Sequence, residues 1–232
     1  NSVGDIPSAG SGLGSSSSFL VGLINCINKL KNLNLSKRKI AEIACHIEIK
    51  ILKKPIGMQD QYIAAFGGFK HLKFFRNKVL IKKINISKTR LKLFEENLFM
   101  YYSNQTRKSK NILNKVKKKK NTSIIKKIAE LANDFINELK FGDIDNIGKI
   151  LDKNWELKKK LSDKTSSNAL NKIYDYAINV GASGGKLLGA GGGGFFLFYV
   201  PKHNQKNFKI KMSKYKRILF KFYNNPSTII NI

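Results

Sequence analysis

The sequence PSAGSGLGSSSS, at residues 7–18, decides the fold of this chain. Glycine occupies every second position from Gly10 to Gly14, which permits a tightly turned backbone. The residues before it, at positions 3–6, predict the end of a strand, and residues 15–31 repeat apolar side chains at helical spacing. The first turn of such a helix has unpaired N–H groups and a partial positive charge. A glycine loop that opens a helix therefore predicts a site for a phosphate group.

Two widespread phosphate loops fit these residues less well. A dinucleotide fold needs an acidic residue about 20 positions after the loop, at the end of a second strand, and this sequence has a lysine-rich helical pattern there. A Walker loop needs Lys followed by Ser or Thr after its last glycine, whereas Leu13, Gly14 and Ser15 stand there. The residues favour a loop that holds phosphate with backbone N–H groups and hydroxyls, with Ser15 a candidate ligand for Mg²⁺ or a phosphate oxygen. A Gly/Ser linker is disfavoured by the strand and helix signals on either side.

The composition indicates a globular protein with a strongly basic charge balance. With 232 residues, 42% of them hydrophobic, the chain can form one large or two small domains. A net charge of +29 suggests nucleic acid or an anionic membrane surface as a partner. The cationic residues are mostly lysine, however, and readers of nucleic acid use arginine for bidentate contacts. A bias in composition explains the charge better, and nucleic acid is not the expected partner.

Targeting and redox signals are weak. No apolar run approaches the roughly 20 residues that span a bilayer, so the sequence predicts no membrane segment and a cytoplasmic protein. Cys26 and Cys45 both fall on apolar helical faces, which predicts buried, reduced thiols.

The first part of the chain is predicted to form helices and a hairpin. A second helix is expected after Ser36, with its apolar face formed by Ile40, Ile43, Ile47 and Ile51. On that helix Glu48 would lie off the buried face. A proline and a glycine end the helix, so Asp60 is predicted in a loop. Residues 64–75 and 79–86 are predicted to pair as a β-hairpin.

The rest of the chain alternates strands and helices around a second glycine cluster, KLLGAGGGG at residues 186–194. That cluster leads directly into a predicted buried strand, and Trp155 falls on the apolar face of a helix, which predicts a place in the core. The other predicted elements are a strand at 98–103, helices at 121–140, 144–162, 168–180 and 208–214, and a final strand at 217–223. The pattern predicts an α+β fold with domains at residues 1–88 and 89–232.

The sequence resembles the GHMP small-molecule kinases at three motifs that occur in the family's order. The glycine loop is similar to the family's ATP loop, PxxxGLGSSxS, and Glu48 and Asp60 are similar to its later acidic pair. The cluster at residues 186–194 is similar to its closing glycine motif. The resemblance implies a two-domain GHMP kinase fold, with a partial N-terminal domain like domain 2 of ribosomal protein S5 and a ferredoxin-like C-terminal domain. Family members begin with a further strand-rich segment, so the chain is expected to be N-terminally truncated.

The resemblance also implies ATP and Mg²⁺ as cofactors and a role for each motif residue. Glu48 and Ser15 would hold the metal, and Asp60 would orient the acceptor hydroxyl and accept its proton. The two glycine motifs would bind ATP through Pro7, Gly10, Gly12, Leu13, Gly14, Ser15, Ser16, Ser17, Gly189, Gly191 and Gly192. Lys158 and Lys159 are candidates for contact with a sugar phosphate, although a solvated helix face is the favoured interpretation for both.

The activity implied is transfer of phosphate from ATP to a hydroxyl of a small sugar or sugar phosphate. Residues 47–68 and 155–162 resemble kinases that act on D-glycero-D-manno-heptose 7-phosphate, which makes its anomeric hydroxyl the expected acceptor. Fucose, galactose or a mevalonate-type alcohol are alternative acceptors within the family. A non-catalytic basic protein that binds nucleic acid is the alternative from a different class.

Overall fold

The computed structural model describes residues 12–105, 112–113 and 121–230, and these residues form two compact units. The first comprises Gly14–Asn85 together with residues 222–230, and the second comprises Ile86–Lys221 with residues 12–13. The strand predicted at residues 3–6, and the candidate site residues Pro7 and Gly10, lie outside the described residues.

The end of the chain departs from the predicted division at residue 88, because residues 222–230 pack with the first unit. The Ser227 N–H donates to the carbonyl of Ala64 at 3.0 Å, and the Asn25 side chain donates to the Ser227 carbonyl at 3.0 Å. Asn225 passes so close to Gly67 that a Cβ there would lie 2.3 Å from its backbone. Contacts between residues so far apart in the sequence cannot be predicted from the local sequence pattern.

Three α-helices, a π-helical segment and a hairpin make up the first unit. Ser36 caps the second helix as predicted, accepting a hydrogen bond from the Lys39 N–H at 3.2 Å. The core contains Val21, Ala41, Ala44, Tyr62 and Ala65, all at most 3% exposed. The elements are α1 (Ser15–Leu30), α2 (Lys37–Cys45), the π-helical segment (His46–Ile51), α3 (Gln59–Phe66), β1 (Lys70–Phe74) and β2 (Val79–Lys83), and β1 pairs antiparallel with β2.

The π-helical segment overturns the predicted orientation of Glu48. Its turns are wider than those of an α-helix, as the 2.8 Å bond from the Leu52 N–H to the carbonyl of Ile47, five residues back, illustrates. The extra residue in the turn rotates the side chains that follow. Ile51, expected in the core, is 61% exposed, and Glu48, expected outside it, is only 1% exposed.

Two smaller predictions for the first unit are also wrong. Asp60 lies in the first turn of α3 instead of in a loop, and this helix continues to Phe66, into the predicted strand. Cys45 is buried as expected, but Cys26 is exposed. α1 packs on α2 and α3 with the face that carries Val21 and Ile24, and Cys26 lies about half a turn away from that face.

The second unit combines a four-stranded antiparallel sheet with helices. The strand order is β4-β5-β3-β6, so β3 lies between the last two strands. This connectivity agrees with the expected ferredoxin-like arrangement. The elements are α4 (Lys88–Glu96), β3 (Leu98–Tyr102), α5 (Thr122–Lys140), α6 (Asn146–Lys159), α7 (Asn168–Asn179), β4 (Gly184–Leu187), β5 (Phe195–Tyr199), α8 (Gln205–Lys211) and β6 (Arg217–Ile218).

Most of these elements follow the sequence prediction, with three differences. The pattern gave no sign of α4, and the predicted glycine cluster at residues 186–194 includes Lys186 and Leu187, which belong to β4. The final strand is limited to β6, since residues 222–230 belong to the other unit. No helix among the described residues is long and apolar enough to cross a membrane.

An aromatic core joins α6 and α7 to the sheet of the second unit. Trp155 is fully buried, as predicted, and its ring meets Phe196 edge-on at 6.0 Å and lies 6.1 Å from the ring of Tyr174. α6 also approaches β4 very closely, because a Cβ on Gly184 would lie 1.9 Å from the carbonyl oxygen of Gly148. Helix and strand can pack at this distance only if neither residue has a side chain.

Replacing Gly184 with alanine should therefore destabilise the second unit. The added methyl group would meet backbone, which cannot move aside as a flexible side chain would, so we expect a loss of about 1–3 kcal/mol in the free energy of unfolding. Urea unfolding followed by the fluorescence of Trp155, the only tryptophan, measures the change.

Gly22→Ala is the matched control for that substitution. A Cβ at this position in α1 would meet nothing within 4 Å, so the change should stabilise the protein by about 0.5–1 kcal/mol, as circular dichroism would detect. Equal stability of Gly184→Ala and the wild type would contradict the close approach of α6 and β4.

Candidate active site

The described part of the first glycine loop leads into α1 with the geometry predicted. Gly12 and Gly14 have φ values of 75° and 74°, in the left-handed region that favours glycine. α1 begins at Ser15, and no side chain of the described residues caps its first turn. The N–H groups at the start of an α-helix have no partner inside the helix, so they can bind an anion.

A buried carboxylate lies at the centre of the candidate site. Glu48 Oε2 accepts hydrogen bonds from Ser17 Oγ and Gln61 Nε2, both at 2.6 Å. Its other oxygen, Oε1, accepts from Lys54 Nζ at 2.8 Å and from Ser16 Oγ at 3.1 Å. Lys54 Nζ also lies 2.9 Å from Ser16 Oγ. The two oxygens thus differ, because one is held by buried neutral donors and the other faces a cation.

Among the described residues, the hydroxyls bonded to Glu48 belong to Ser16 and Ser17. Ser15, which the sequence paired with Glu48 as a metal ligand, makes no such bond. Adjacent helical residues point in directions about 100° apart, so only part of the serine run can face one carboxylate. The sequence identified the run of hydroxyls but could not choose among them.

The hydrogen bonds around Glu48 keep it ionised. Burial by itself raises the pKa of this carboxyl group, but the bonds from Lys54, Ser17 and Gln61, with the positive charge of Lys54, outweigh that effect. The net result is a pKa below the ordinary value. An anionic carboxylate with one oxygen already facing a cation is suited to hold a divalent metal ion.

Asp60 lies in the first turn of α3, against the glycine loop. A Cβ on Gly14 would lie 3.2 Å from the Asp60 carboxyl carbon, which is a tight contact, and the positive φ of Gly14 favours glycine at this position. Burial raises the pKa of Asp60, a hydrogen bond from Gln59 lowers it, and the negative charge of Glu48 raises it, with a net increase. Asp60 is therefore the better proton acceptor of the two carboxylates.

Two residues of this cluster, Lys54 and Gln61, were not predicted from the sequence. Lys54 is one of many lysines, and its role depends on the π-helical segment that turns Glu48 inward. Gln61 follows Asp60 directly, and only the helical conformation of α3 directs it to Glu48. Its position next to Asp60 was the one feature of the sequence that could have indicated a role for Gln61.

The second glycine cluster belongs to the second unit. Gly189, Gly191 and Gly192 all have positive φ, at 63°, 100° and 73°, as the glycine pattern implies. The Gly192 N–H donates to the carbonyl of Thr165 at 2.7 Å, which fixes the loop to the segment before α7.

The two lysines at the end of α6 behave differently from each other. Lys158 donates to the carbonyls of Leu187, at 2.8 Å, and Gly189, so it anchors the start of the glycine loop and the expected solvated role is wrong for it. Lys159 pairs with Glu156 at 2.6 Å along the helix.

Comparison with known proteins agrees with these features. Residues 2–68 match the family model for the GHMP kinases N terminal domain, and residues 124–217 match that for GHMP kinases C terminal. D-glycero-alpha-D-manno-heptose 7-phosphate kinase of Campylobacter jejuni is 37% identical over 208 residues, which are 88% of this chain and 61% of the relative. Galactokinase of Pyrococcus furiosus is 30% identical over 230 residues, covering 88% of this chain and 64% of the relative.

The fold comparison leads to the same family. The crystal structure of a D-glycero-D-manno-heptose 1-phosphate kinase from Bacteroides thetaiotaomicron superposes with a TM-score of 0.76 at 27% identity, over 96% of this chain and 64% of that one. This chain thus spans less than two thirds of the length of each of these relatives. The two family models, the sequence identities and the shared fold show that the chain belongs to the GHMP kinase family.

Proposed function

We propose that the protein is an ATP-dependent kinase that phosphorylates a hydroxyl of a sugar or sugar phosphate, with the anomeric hydroxyl of D-glycero-D-manno-heptose 7-phosphate as the preferred acceptor. The observation that carries this proposal is the buried, ionised Glu48 beside the serines of a glycine loop, with Asp60 against the same loop. The substrate is suggested by the Campylobacter jejuni relative, which is named for that sugar and is 37% identical.

The residues present fit a magnesium ion and the phosphates of ATP. Glu48 Oε1 and Ser16 Oγ are oxygen ligands of the kind Mg²⁺ prefers, and they lie 3.1 Å apart at the start of α1. Lys54 already places a positive charge at this position. Glu48 and Ser16 would hold the cation, which would supply positive charge to offset the negative charge of the phosphates during transfer. Ser16 replaces Ser15 in this proposal as the hydroxyl ligand.

Asp60 is proposed to orient the acceptor hydroxyl and to accept its proton. A carboxylate whose pKa is raised by burial takes up a proton more readily than an ordinary aspartate. Phosphoryl transfer has a loose transition state, so the position of the hydroxyl matters more than the strength of the base. Contacts of Gly189, Gly191 and Gly192 with ATP remain predictions.

The full-length protein should turn over ATP fastest with D-glycero-D-manno-heptose 7-phosphate in a panel that includes galactose, fucose and mevalonate. A coupled assay measures the rates, and ³¹P NMR of the product identifies the hydroxyl that has been phosphorylated. Faster turnover of another member of the panel would reassign the substrate within the family. Salt-dependent binding to DNA or RNA together with no binding of ATP would contradict the kinase proposal itself.

Asp60→Asn should lower kcat by about 10²–10⁴-fold without loss of stability. The folded-state pKa of Asp60 is raised, so its ionised form is less stable in the folded protein than in the unfolded chain. This penalty is present above the folded-state pKa and disappears as the pH falls below the unfolded-state pKa. The neutral amide avoids the penalty at pH 7, so thermal unfolding should show a midpoint at least as high as that of the wild type. Wild-type kcat in this variant would rule out the role of Asp60.

Two serine variants test the choice of metal ligand. Ser16→Ala should weaken binding of Mn²⁺ to the enzyme–ADP complex by about 10-fold or more, because it removes an oxygen from the cation position. Ser15→Ala is the matched comparison and should weaken it less, since Ser15 makes no hydrogen bond to Glu48 among the described residues. Electron paramagnetic resonance of free Mn²⁺ gives both dissociation constants. The reverse order would restore Ser15 as the ligand.

A further inference from the structure

Gln61 is a fully buried polar residue in contact with Glu48. It is 0% exposed, and its Nε2 donates to Glu48 Oε2 at 2.6 Å. The residue before it in α3 is Asp60. This one turn of helix therefore carries one carboxylate of the site and a hydrogen-bond donor to the other.

The orientation of the Gln61 amide is fixed by its partner. Exchange of the amide nitrogen and oxygen would bring an acceptor against the acceptor oxygen of Glu48, so Nε2 must face the carboxylate. The other end of the amide, Oε1, is buried and accepts no hydrogen bond from any of the described residues. A buried acceptor without a donor costs free energy, and an apolar side chain of the same length would avoid that cost.

The unpartnered oxygen belongs to the same amide group whose nitrogen contacts Glu48 Oε2, and Glu48 offers its other oxygen to the proposed metal. Mg²⁺ gives up its water reluctantly and usually keeps several water molecules when it binds a protein. Those waters can donate hydrogen bonds, and Gln61 Oε1 has no donor among the described residues.

We propose that Gln61 is a positioning residue for the divalent cation, a role that rests on the proposed function. Its Nε2 holds Glu48 Oε2 in place, together with Ser17, so that Oε1 of Glu48 faces the cation. Its own Oε1 accepts a hydrogen bond from a water molecule that enters with the cation. Gln61 thereby links the carboxylate and the hydration shell, and it sets the affinity for the metal without contacting the metal.

The test measures Mn²⁺ binding to the full-length protein with saturating ADP, by electron paramagnetic resonance. Gln61→Met keeps the length of the side chain and removes both polar ends. We expect the Mn²⁺ dissociation constant to rise by about 10–100-fold, the usual effect of losing a hydrogen-bond partner of a metal ligand. The thermal midpoint without metal should change little, because the lost hydrogen bond to Glu48 and the removal of an unpartnered buried oxygen act in opposite directions. Gln61→Leu should behave the same way and serves if Gln61→Met fails to fold.

Gln205→Leu is the structural control. Gln205 Nε2 lies 2.8 Å from Asn97 Oδ1 and 3.2 Å from the carbonyl of Val200, in the second unit and outside the candidate site. Its loss should lower the thermal midpoint and leave the Mn²⁺ dissociation constant unchanged. An unchanged dissociation constant in Gln61→Met, with or without a lower midpoint, would overturn the proposal and leave Gln61 with a structural role only.

A Glu48→Gln variant separates this inference from the proposed function. If Glu48→Gln abolishes Mn²⁺ binding and Gln61→Met does not weaken it, the metal site stands and only the role of Gln61 is wrong. If Glu48→Gln binds Mn²⁺ as tightly as the wild type, the metal site of the proposed function is wrong, and the role of Gln61 fails with it.

Discussion

The buried carboxylate of Glu48 determines how the elements of the first unit must fit together. An ionised group that is 1% exposed has lost nearly all its water and needs donors from the protein. Ser16 and Ser17 supply them from α1, Gln61 from α3, and Lys54 from the segment between. A shift of any one element would remove at least one of these donors from the charge. The position of the glycine loop relative to α3 is therefore coupled to one side chain.

The same cluster gives its two carboxylates different properties. Glu48 receives four hydrogen bonds, one of them from an ammonium group, and its pKa is lowered despite burial. Burial and the negative charge of Glu48 raise the pKa of Asp60, and among the described residues only Gln59 donates a hydrogen bond to its carboxylate. The surroundings thus favour the ionised form of one carboxylate, suited to a cation, and make the other a better proton acceptor. This difference is what the proposed kinase activity requires of the two carboxylates.

Different interactions stabilise the second unit. Its core is aromatic, with Trp155 fully buried against Phe196 and Tyr174, and its glycines permit contacts that side chains would block. Lys158 binds the carbonyls at the start of the glycine loop, although a lysine at the end of an exposed helical pattern gives no sign of such a role. The loop conformation is thus maintained by side-chain and backbone contacts within the unit.

The sequence by itself determined those features that depend on neighbouring residues. The glycine spacing and the helical repeat after it fixed the start of α1, and Ser36 fixed that of α2, because turns and caps are local. The β1–β2 hairpin and the burial of Trp155 likewise follow from short-range patterns. The family motifs brought Glu48 and Asp60 into the candidate site before their environment was known.

Only the tertiary structure decided which groups meet at that site. The π-helical segment turned Glu48 inward, against its predicted orientation, because a wider turn shifts the register of all later side chains. Glu48 is bonded by Ser16 and Ser17 instead of Ser15, and also by Gln61. These contacts join residues that are 13 to 32 positions apart in the sequence. The return of residues 222–230 to the first unit spans almost the whole chain. Such contacts cannot be predicted from the local sequence pattern, since they arise from the packing of whole elements.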